Sequence, residues 1–149
     1  MLEVLGIDIG GVIKDSGYIG SEVPGAIEGI AQIQMHDRFS GIYLVSQTLS
    51  GSRWYVLNWL TKRNFWSRTG ITQGDVLFCN RSKHKAIIAV RLHITHFIDD
   101  RPRVLHCMPE SVSHRFLFGG SHSGENLPHN TVYIPDWDTL TPFLLLKAA

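Results

Sequence analysis

The chain has 149 residues, of which 44% are hydrophobic and 18% charged, and its formal net charge at pH 7 is +1. This length fits one domain with a sizeable core, and the composition is that of an ordinary globular protein. No apolar run approaches the roughly 18 residues of a transmembrane helix, and the N-terminus lacks the basic segment of a signal peptide. We therefore expect a single domain over residues 1–149, located in the cytoplasm and not attached to a membrane.

The basic residues are concentrated in the middle of the chain. Ten of the 14 Lys/Arg residues, but only three of the 13 Asp/Glu residues, lie between Arg53 and Arg103. The near-neutral net charge argues against a protein that binds polyanions over its whole surface. The basic segment in the middle of the chain is compatible either with one face that attracts anions or with solvated helix surfaces. Trp54, Trp59 and Trp66 lie among these bases. Such a pattern can stack on single-stranded nucleic acid, but we interpret it as helix core.

Short apolar runs alternate with segments of helical spacing along the chain. In chain order we predict a strand at 1–9, a hairpin or flap at 12–18, a helix opening at Pro24, a strand at 41–45, a helix at 52–64, a strand at 75–79, a helix at 85–92, a strand at 96–98, a helix at 103–108, strands at 115–118 and 132–134, and a C-terminal helix capped by Asp136. The strands are continuous apolar runs, which is typical of strands buried on both faces. The order predicts a three-layer, Rossmann-like α/β domain with a mostly parallel sheet.

Four polar side chains stand at or just after the ends of predicted strands: Asp8, Ser46, Asp99 and Asp100. In parallel sheets, ligands gather at the carboxyl ends of the strands. Carboxylates that lie close together repel one another unless a cation sits among them, and Mg²⁺ prefers such hard oxygen ligands. A carboxylate can also act as a nucleophile and form an aspartyl-phosphate. The pattern therefore predicts a cation site at which phosphate chemistry could occur.

Other residues near these positions could hold a phosphate group. Gly10 and Gly11 follow Asp8 and would let backbone amides approach an anion closely. A hydroxyl such as that of Ser46 can hold a phosphate oxygen. A lysine near the start of the helix after the third strand, Lys83 or Lys85, can neutralise the phosphate and the attacking carboxylate.

The order of four motifs (DIGGV, YLVSQ, RSKHK and FIDDRP) resembles the haloacid dehalogenase superfamily over residues 2 to about 118. The PGA that opens the first helix is also similar to that family. The resemblance implies that Asp8 is the nucleophile and a metal ligand. It implies that Ser46 holds the phosphate, and we expect Gln47 and Gly11 beside it to contact the substrate.

The resemblance also implies the charge-balancing residues. Lys85 is our choice for the phosphate-balancing lysine because it opens the apolar helix, with Lys83 as the alternative. Asp99 and Asp100 would anchor Mg²⁺, Asp100 as the direct ligand, and the carbonyl of Gly10 could bind the same ion.

The sequence departs from the family pattern at Gly10. Phosphatases of this family usually carry a second Asp there, which protonates the leaving group and later activates water. Such general acid–base catalysis is typically worth about 10²–10⁴-fold. Three explanations remain open: substrates with good leaving groups, a substitute such as Asp15 or a water held by Asp99, or vestigial activity.

Family members often insert a cap domain over the site, but residues 17–40 and 51–74 are too short for one. We therefore expect an open site that accepts a phosphorylated small molecule or an exposed phosphate on a macromolecule, with a homo-oligomer as another way to cover it. The predicted function is a Mg²⁺-dependent phosphomonoesterase. The alternatives are a catalytically impaired phosphate-binding or protein-interaction module, and a metal-independent 2-haloacid dehalogenase.

Overall fold

The computed structural model describes residues 2–15, 19–119 and 126–146. In this part of the chain, six strands form one sheet in which every neighbouring pair is parallel. The strands are β1 (Val4–Ile7), β2 (Gly41–Gln47), β3 (Val76–Cys79), β4 (His96–Asp99), β5 (His114–Phe118) and β6 (Thr131–Ile134). Their order across the sheet is β3-β2-β1-β4-β5-β6. The predicted parallel α/β architecture is therefore confirmed.

Helices cover both faces of this sheet. Within the described ranges they are α1 (Ala26–Met35), α2 (Arg53–Lys62), α3 (Phe65–Thr69), α4 (His84–Arg91), α5 (Pro102–His106) and α6 (Trp137–Leu145). Apolar residues of α1, α2, α3 and α6 pack with Ile7 and Ile98 on one face. Those of α4 and α5 pack with Phe97 and Leu117 on the other. Because neighbouring residues of a strand point to opposite faces, the continuous apolar runs serve both cores at once.

Most predicted elements lie within a few residues of their observed bounds. The helix α3 was not predicted, because Asn64 adopts a φ of 56° and separates it from α2. Asp136 caps α6 as predicted, since its side chain accepts a hydrogen bond of 2.8 Å from the backbone N–H of Thr139. The flap predicted over residues 12–18 lies partly outside the described residues; its described part is a turn in which Lys14 bridges to Glu22.

The strand order changes direction beside β1. The chain runs outward from β1 to β2 and β3, then returns to the other side of β1 with β4. Ligands of open α/β sheets bind at such a switch point, outside the carboxyl ends of the strands. The backbone N–H of Asp8 donates to the carbonyl of Ile98 at 3.0 Å, so the end of β1 is fixed beside the end of β4. The fold thereby brings Asp8 next to Asp99.

Some expectations about side-chain burial hold and others do not. Trp59 is buried and Trp66 packs against the core, as the helix-core interpretation requires, but Trp54 is 65% exposed. Among the described residues, no helix has both the length and the apolar character needed to cross a membrane.

His96, at the start of β4, gives a prediction for stability against pH. Burial, with a contribution from the nearby His114, lowers its pKa from 6.5 to about 4. The unfolded chain therefore binds a proton more readily than the folded one, so stability is full above about pH 6.5 and falls towards pH 4. Between about pH 6.5 and pH 4, we expect the free energy of unfolding of His96→Gln to fall by about 2–3 kcal/mol less than that of the wild type. Urea unfolding at the two pH values measures this difference. Parallel losses in the two proteins would contradict this, and the exposed His129→Gln is the control.

Candidate active site

Three acidic side chains meet where β1 and β4 end. Asp8 directly follows β1, Asp99 is the last residue of β4, and Asp100 comes next. One carboxylate oxygen from each lies within 4.8 Å of the others. Asp8 and Asp99 are buried and Asp100 is half-buried. The structure thus brings together the three carboxylates that the sequence placed at one edge of the sheet.

A single buried lysine links two of these carboxylates. Lys85 lies in the first turn of α4, and its Nζ donates to Asp8 Oδ1 and to Asp99 Oδ2, each at 2.8 Å. Its side chain is 0% exposed. Lys83, at the N-cap of α4, is exposed and makes no such contact among the described residues. Of the two lysines considered, Lys85 is the one that reaches the acidic cluster.

Burial dominates the electrostatics of the cluster. Burial raises the pKa of Asp8 to about 6 and that of Asp99 to about 6, although Lys85 acts on both in the opposite direction. Burial also opposes the charge on Lys85, but the attraction of the two carboxylates outweighs it and raises the pKa of the ammonium group. One cation is thus shared by two carboxylates, with a third beside them, and the cluster carries excess negative charge when all three are ionised.

The acidic cluster fits a metal ion by its set of donor atoms. One carboxylate oxygen from each of Asp8, Asp99 and Asp100 lies within 4.8 Å of the other two. Ionised carboxylates this close repel one another unless a proton or a cation lies among them. Burial also raises the pKa of Asp100. A set of hard oxygen donors in this arrangement suits Mg²⁺, which takes one or two carboxylates and keeps several waters.

Asp99 has a more restricted position than the other two acids. Its Oδ2 accepts from Lys85, and its Oδ1 accepts from the backbone N–H of Arg101 at 3.0 Å. It is 0% exposed and does not line the open cleft beside the cluster. Asp99 therefore orients Lys85 and the turn after β4. It is poorly placed to hold the catalytic water that the sequence analysis considered.

Asp8 lines an open cleft of about 680 Å³, which we call the acidic cleft. Its lining is made up of Asp8, Ile9, Gly10, Gly11, Lys14, Ser46, Gln47, Thr48, Leu49, Ser52, Val56, Asp100 and Arg101. Asp15, the other acid considered as a proton donor, is exposed and does not line it. Of the predicted substrate contacts, Ser46, Gln47 and Gly11 line this cleft.

Ser46 lies in β2 and is buried, with its hydroxyl facing a second hydroxyl. Its Oγ is 2.8 Å from Thr48 Oγ1, and both residues line the acidic cleft. Two adjacent hydroxyls on the wall can each turn to donate to a phosphate oxygen. Thr48 was not identified from the sequence, although its position two residues after Ser46 places it at the same end of β2.

Gln47 joins two walls of the cleft. Its Oε1 accepts from Ser82 Oγ at 2.6 Å and from Arg101 Nη2 at 3.0 Å. Its Nε2 donates to the carbonyl of Asn80 at 3.4 Å. Arg101 was not predicted as a site residue, though it directly follows the acidic pair. Gln47 therefore connects β2 with the segments that follow β3 and β4.

The two glycines after Asp8 serve different purposes. Gly11 has a φ of 80°, and a Cβ on it would collide with the carboxylate of Asp100. Its N–H donates to the carbonyl of Lys14 at 2.7 Å, so this amide is used within the turn rather than directed at an anion as expected. Gly10 has no positive φ, and no atom lies within 4 Å of a Cβ built on it. The space beside Gly10 is open to a side chain.

Lys14 is a further residue that the sequence did not single out. It lines the acidic cleft although it is only 6% exposed, and burial lowers its pKa. Its Nζ donates to the carbonyl of Asp15 at 3.2 Å and lies 6.0 Å from the ring centre of Trp59. Its position on the turn after Gly11 carried no recognisable motif.

Comparisons with known proteins bear on the fold. No protein-family model matches the chain, and no curated protein matches it either. The chain is similar to the crystal structure of D,D-heptose 1,7-bisphosphate phosphatase from Burkholderia thailandensis, with 18% identity and a TM-score of 0.65 over 97% of this chain and 99% of that one. At this identity the likeness shows the fold, which is a Rossmann-like α/β fold.

Proposed function

We propose that the protein is a Mg²⁺-dependent phosphohydrolase that acts on phosphomonoesters with Asp8 as its nucleophile. The observation that carries this proposal is the geometry at Asp8. Its carboxylate lines an open cleft, accepts a hydrogen bond of 2.8 Å from a buried lysine, and has an oxygen within 4.8 Å of a carboxylate oxygen of Asp100. The similarity to a phosphatase structure supports the same class of substrate.

The reaction needs two displacements at phosphorus. A carboxylate oxygen of Asp8 forms a bond to phosphorus as the bond between phosphorus and the ester oxygen breaks, and the leaving alkoxide takes up a proton. Water then attacks the phosphorus of the aspartyl-phosphate, which releases inorganic phosphate and regenerates the carboxylate. Covalent catalysis of this kind divides one difficult step into two easier ones.

Charge is the main obstacle to this attack, because an anionic carboxylate approaches an anionic phosphate. The ammonium group of Lys85 offsets part of that charge at Asp8. Ser46 and Thr48 can donate hydrogen bonds to phosphate oxygens from the wall of the cleft. Asp8, Asp100 and the carbonyl of Gly10 would hold Mg²⁺, with Asp99 beside them, and the ion would stabilise negative charge on the phosphoryl oxygens.

None of the three positions that the sequence analysis considered supplies a proton for the leaving group within the acidic cleft. Gly10 lacks a side chain, Asp15 is outside the cleft, and Asp99 is enclosed. Substrates whose leaving groups are stable as anions depend least on such a donor. We therefore propose that the protein prefers phosphate esters with good leaving groups.

The segments that connect the strands determine how large a substrate can reach the acidic cleft. The segment between β1 and β2 contributes α1, and that between β2 and β3 contributes α2, α3 and two short 3₁₀ turns, at Ser50–Ser52 and Gln73–Asp75. We propose a capless domain whose open cleft accepts a phosphorylated small molecule or an exposed phosphate on a macromolecule. A second copy of the chain could cover the cleft in a homo-oligomer.

Simple measurements distinguish the proposed phosphohydrolase from two other functions. The absence of a side chain at Gly10 favours a phosphate-binding module, which would bind inorganic phosphate without turning over any ester. A 2-haloacid dehalogenase would release halide without a metal ion, but it gives no role to the acidic pair Asp99 and Asp100 beside Asp8.

The decisive experiment is turnover of p-nitrophenyl phosphate and acetyl phosphate. We expect turnover that requires Mg²⁺, is abolished by EDTA, and falls at least about 10³-fold in Asp8→Asn because the nucleophile is lost. Asp37→Asn, an exposed acid after α1, is the matched control and should retain full activity. Turnover that persists in Asp8→Asn would contradict the proposal, as would halide release from a haloacid in the presence of EDTA.

A further inference from the structure

A second cleft adjoins the acidic cleft and is rich in basic residues. It has a volume of about 400 Å³, and we call it the basic cleft; it is lined by Gln47, Arg81, Ser82, Lys83, Arg103 and Cys107. Gln47 lines both clefts, so the two meet at that side chain. The basic cleft lies towards α4 and α5, whereas the acidic cleft lies towards α2.

Within the described ranges, the three basic residues of this cleft have no carboxylate partner. Arg81, Lys83 and Arg103 are exposed, and in the described ranges none of them forms an ion pair with a carboxylate. None of the described residues that line the cleft is acidic. Unpaired cations on the walls of one concave surface raise the local concentration of anions and bind them through charge-assisted hydrogen bonds.

The wall between the two clefts is held in place. Gln47 Oε1 accepts hydrogen bonds from the buried Ser82 on the basic side and from Arg101 on the acidic side. Because both bonds fix the same side chain, the spacing between the two clefts is defined. A ligand that spans both clefts would therefore meet a side chain that is already ordered, which lowers the conformational entropy lost on binding.

We propose that the basic cleft binds a second phosphate group of the substrate while the phosphate to be cleaved lies in the acidic cleft. This proposal rests on the proposed phosphohydrolase function and names its substrate class. A phosphate matches the site because it is an anion whose oxygens guanidinium groups bind in a bidentate manner. The second phosphate can belong to a small bisphosphate or to the backbone of a terminally phosphorylated strand of nucleic acid.

The test compares substrates that differ in one phosphate. The quantity measured is kcat/KM for a hexose bisphosphate divided by that for the matching hexose monophosphate. The same ratio is measured for a 5′-phosphorylated dinucleotide against the nucleoside monophosphate. We expect a ratio well above one in the wild type for at least one pair, and a fall of about tenfold in Arg103→Ala. Arg91 is an exposed arginine at the C-terminal end of α4. The variant Arg91→Ala is the control and should leave the ratio unchanged.

The outcomes separate this proposal from the function on which it rests. If the wild type prefers the substrate with two phosphates in either pair, and Arg103→Ala removes that preference, the basic cleft binds the second phosphate. The pair that shows the preference tells whether that phosphate belongs to a small bisphosphate or to a nucleic acid. Equal rates in both pairs, or equal effects of the two arginine variants, overturn it. p-Nitrophenyl phosphate has no second phosphate, so its turnover tests the phosphohydrolase alone. If that turnover is absent, equilibrium binding of the hexose bisphosphate to wild type and Arg103→Ala still decides whether the basic cleft binds phosphate.

Discussion

Replacing Gly10 by aspartate should raise kcat/KM for an alkyl phosphate by about 10²- to 10⁴-fold, the usual contribution of a general acid–base group. An alkyl phosphate has a poor leaving group and needs a proton donor. p-Nitrophenyl phosphate has a good one and should gain much less. The protein can accept the new side chain, because no atom lies within 4 Å of a Cβ at this position and its φ is not positive.

Gly10→Asn is the matched control, since it fills the same space without a carboxyl group. Steady-state kinetics of the wild type, Gly10→Asp and Gly10→Asn give kcat/KM for both substrates and so test the prediction. If Gly10→Asp is no better than Gly10→Asn on the alkyl phosphate, while still folding and binding Mg²⁺, a missing proton donor does not limit the reaction.

Replacing Lys85 by methionine should destabilise the protein by about 3–5 kcal/mol without metal at about pH 8, because it leaves buried carboxylates unpaired. The loss should be smaller at about pH 5, where Asp8 and Asp99, with pKa values near 6, are mostly protonated in the folded state. Urea unfolding at the two pH values measures both effects. Lys83→Met, an exposed change two residues away, should alter stability by less than about 0.5 kcal/mol.

The double variant Asp8→Asn with Lys85→Met keeps this prediction testable if the single variant does not fold. Neutralising Asp8 removes one of the two carboxylates that Lys85 contacts, so part of the lost stability should return. Equal stability of Lys85→Met and the wild type at the higher pH would mean that the ammonium group does not compensate the cluster.

The fold could be predicted because its signal is local and repeated. Runs such as residues 41–45 and 115–118 are short, apolar and rich in β-branched or aromatic residues, and each alternates with helical spacing. Those features select a parallel sheet with two covered faces. The helix α3 was missed because its boundary depends on one left-handed residue, Asn64, which the pattern of apolar residues does not reveal.

The candidate site was predictable only where residues stand directly at strand ends. Asp8, Ser46 and the pair at 99 and 100 follow that rule, and the resemblance to a family added their order. The choice between Lys83 and Lys85 depends on which face of α4 meets the sheet, and the structure places Lys85 there. Lys14 was missed because it reaches the cleft through a turn whose path has no sequence signature.

The central claim is that phosphate is transferred to the carboxylate of Asp8, and chemical trapping tests it most directly. Borohydride reduces an aspartyl-phosphate to homoserine, which peptide mass spectrometry locates by position. During turnover of acetyl phosphate with Mg²⁺, we predict homoserine at position 8 of the wild type, and none when EDTA or no phosphate donor is present. An unmodified Asp8 in protein quenched during active turnover, or homoserine at another aspartate, would contradict the account.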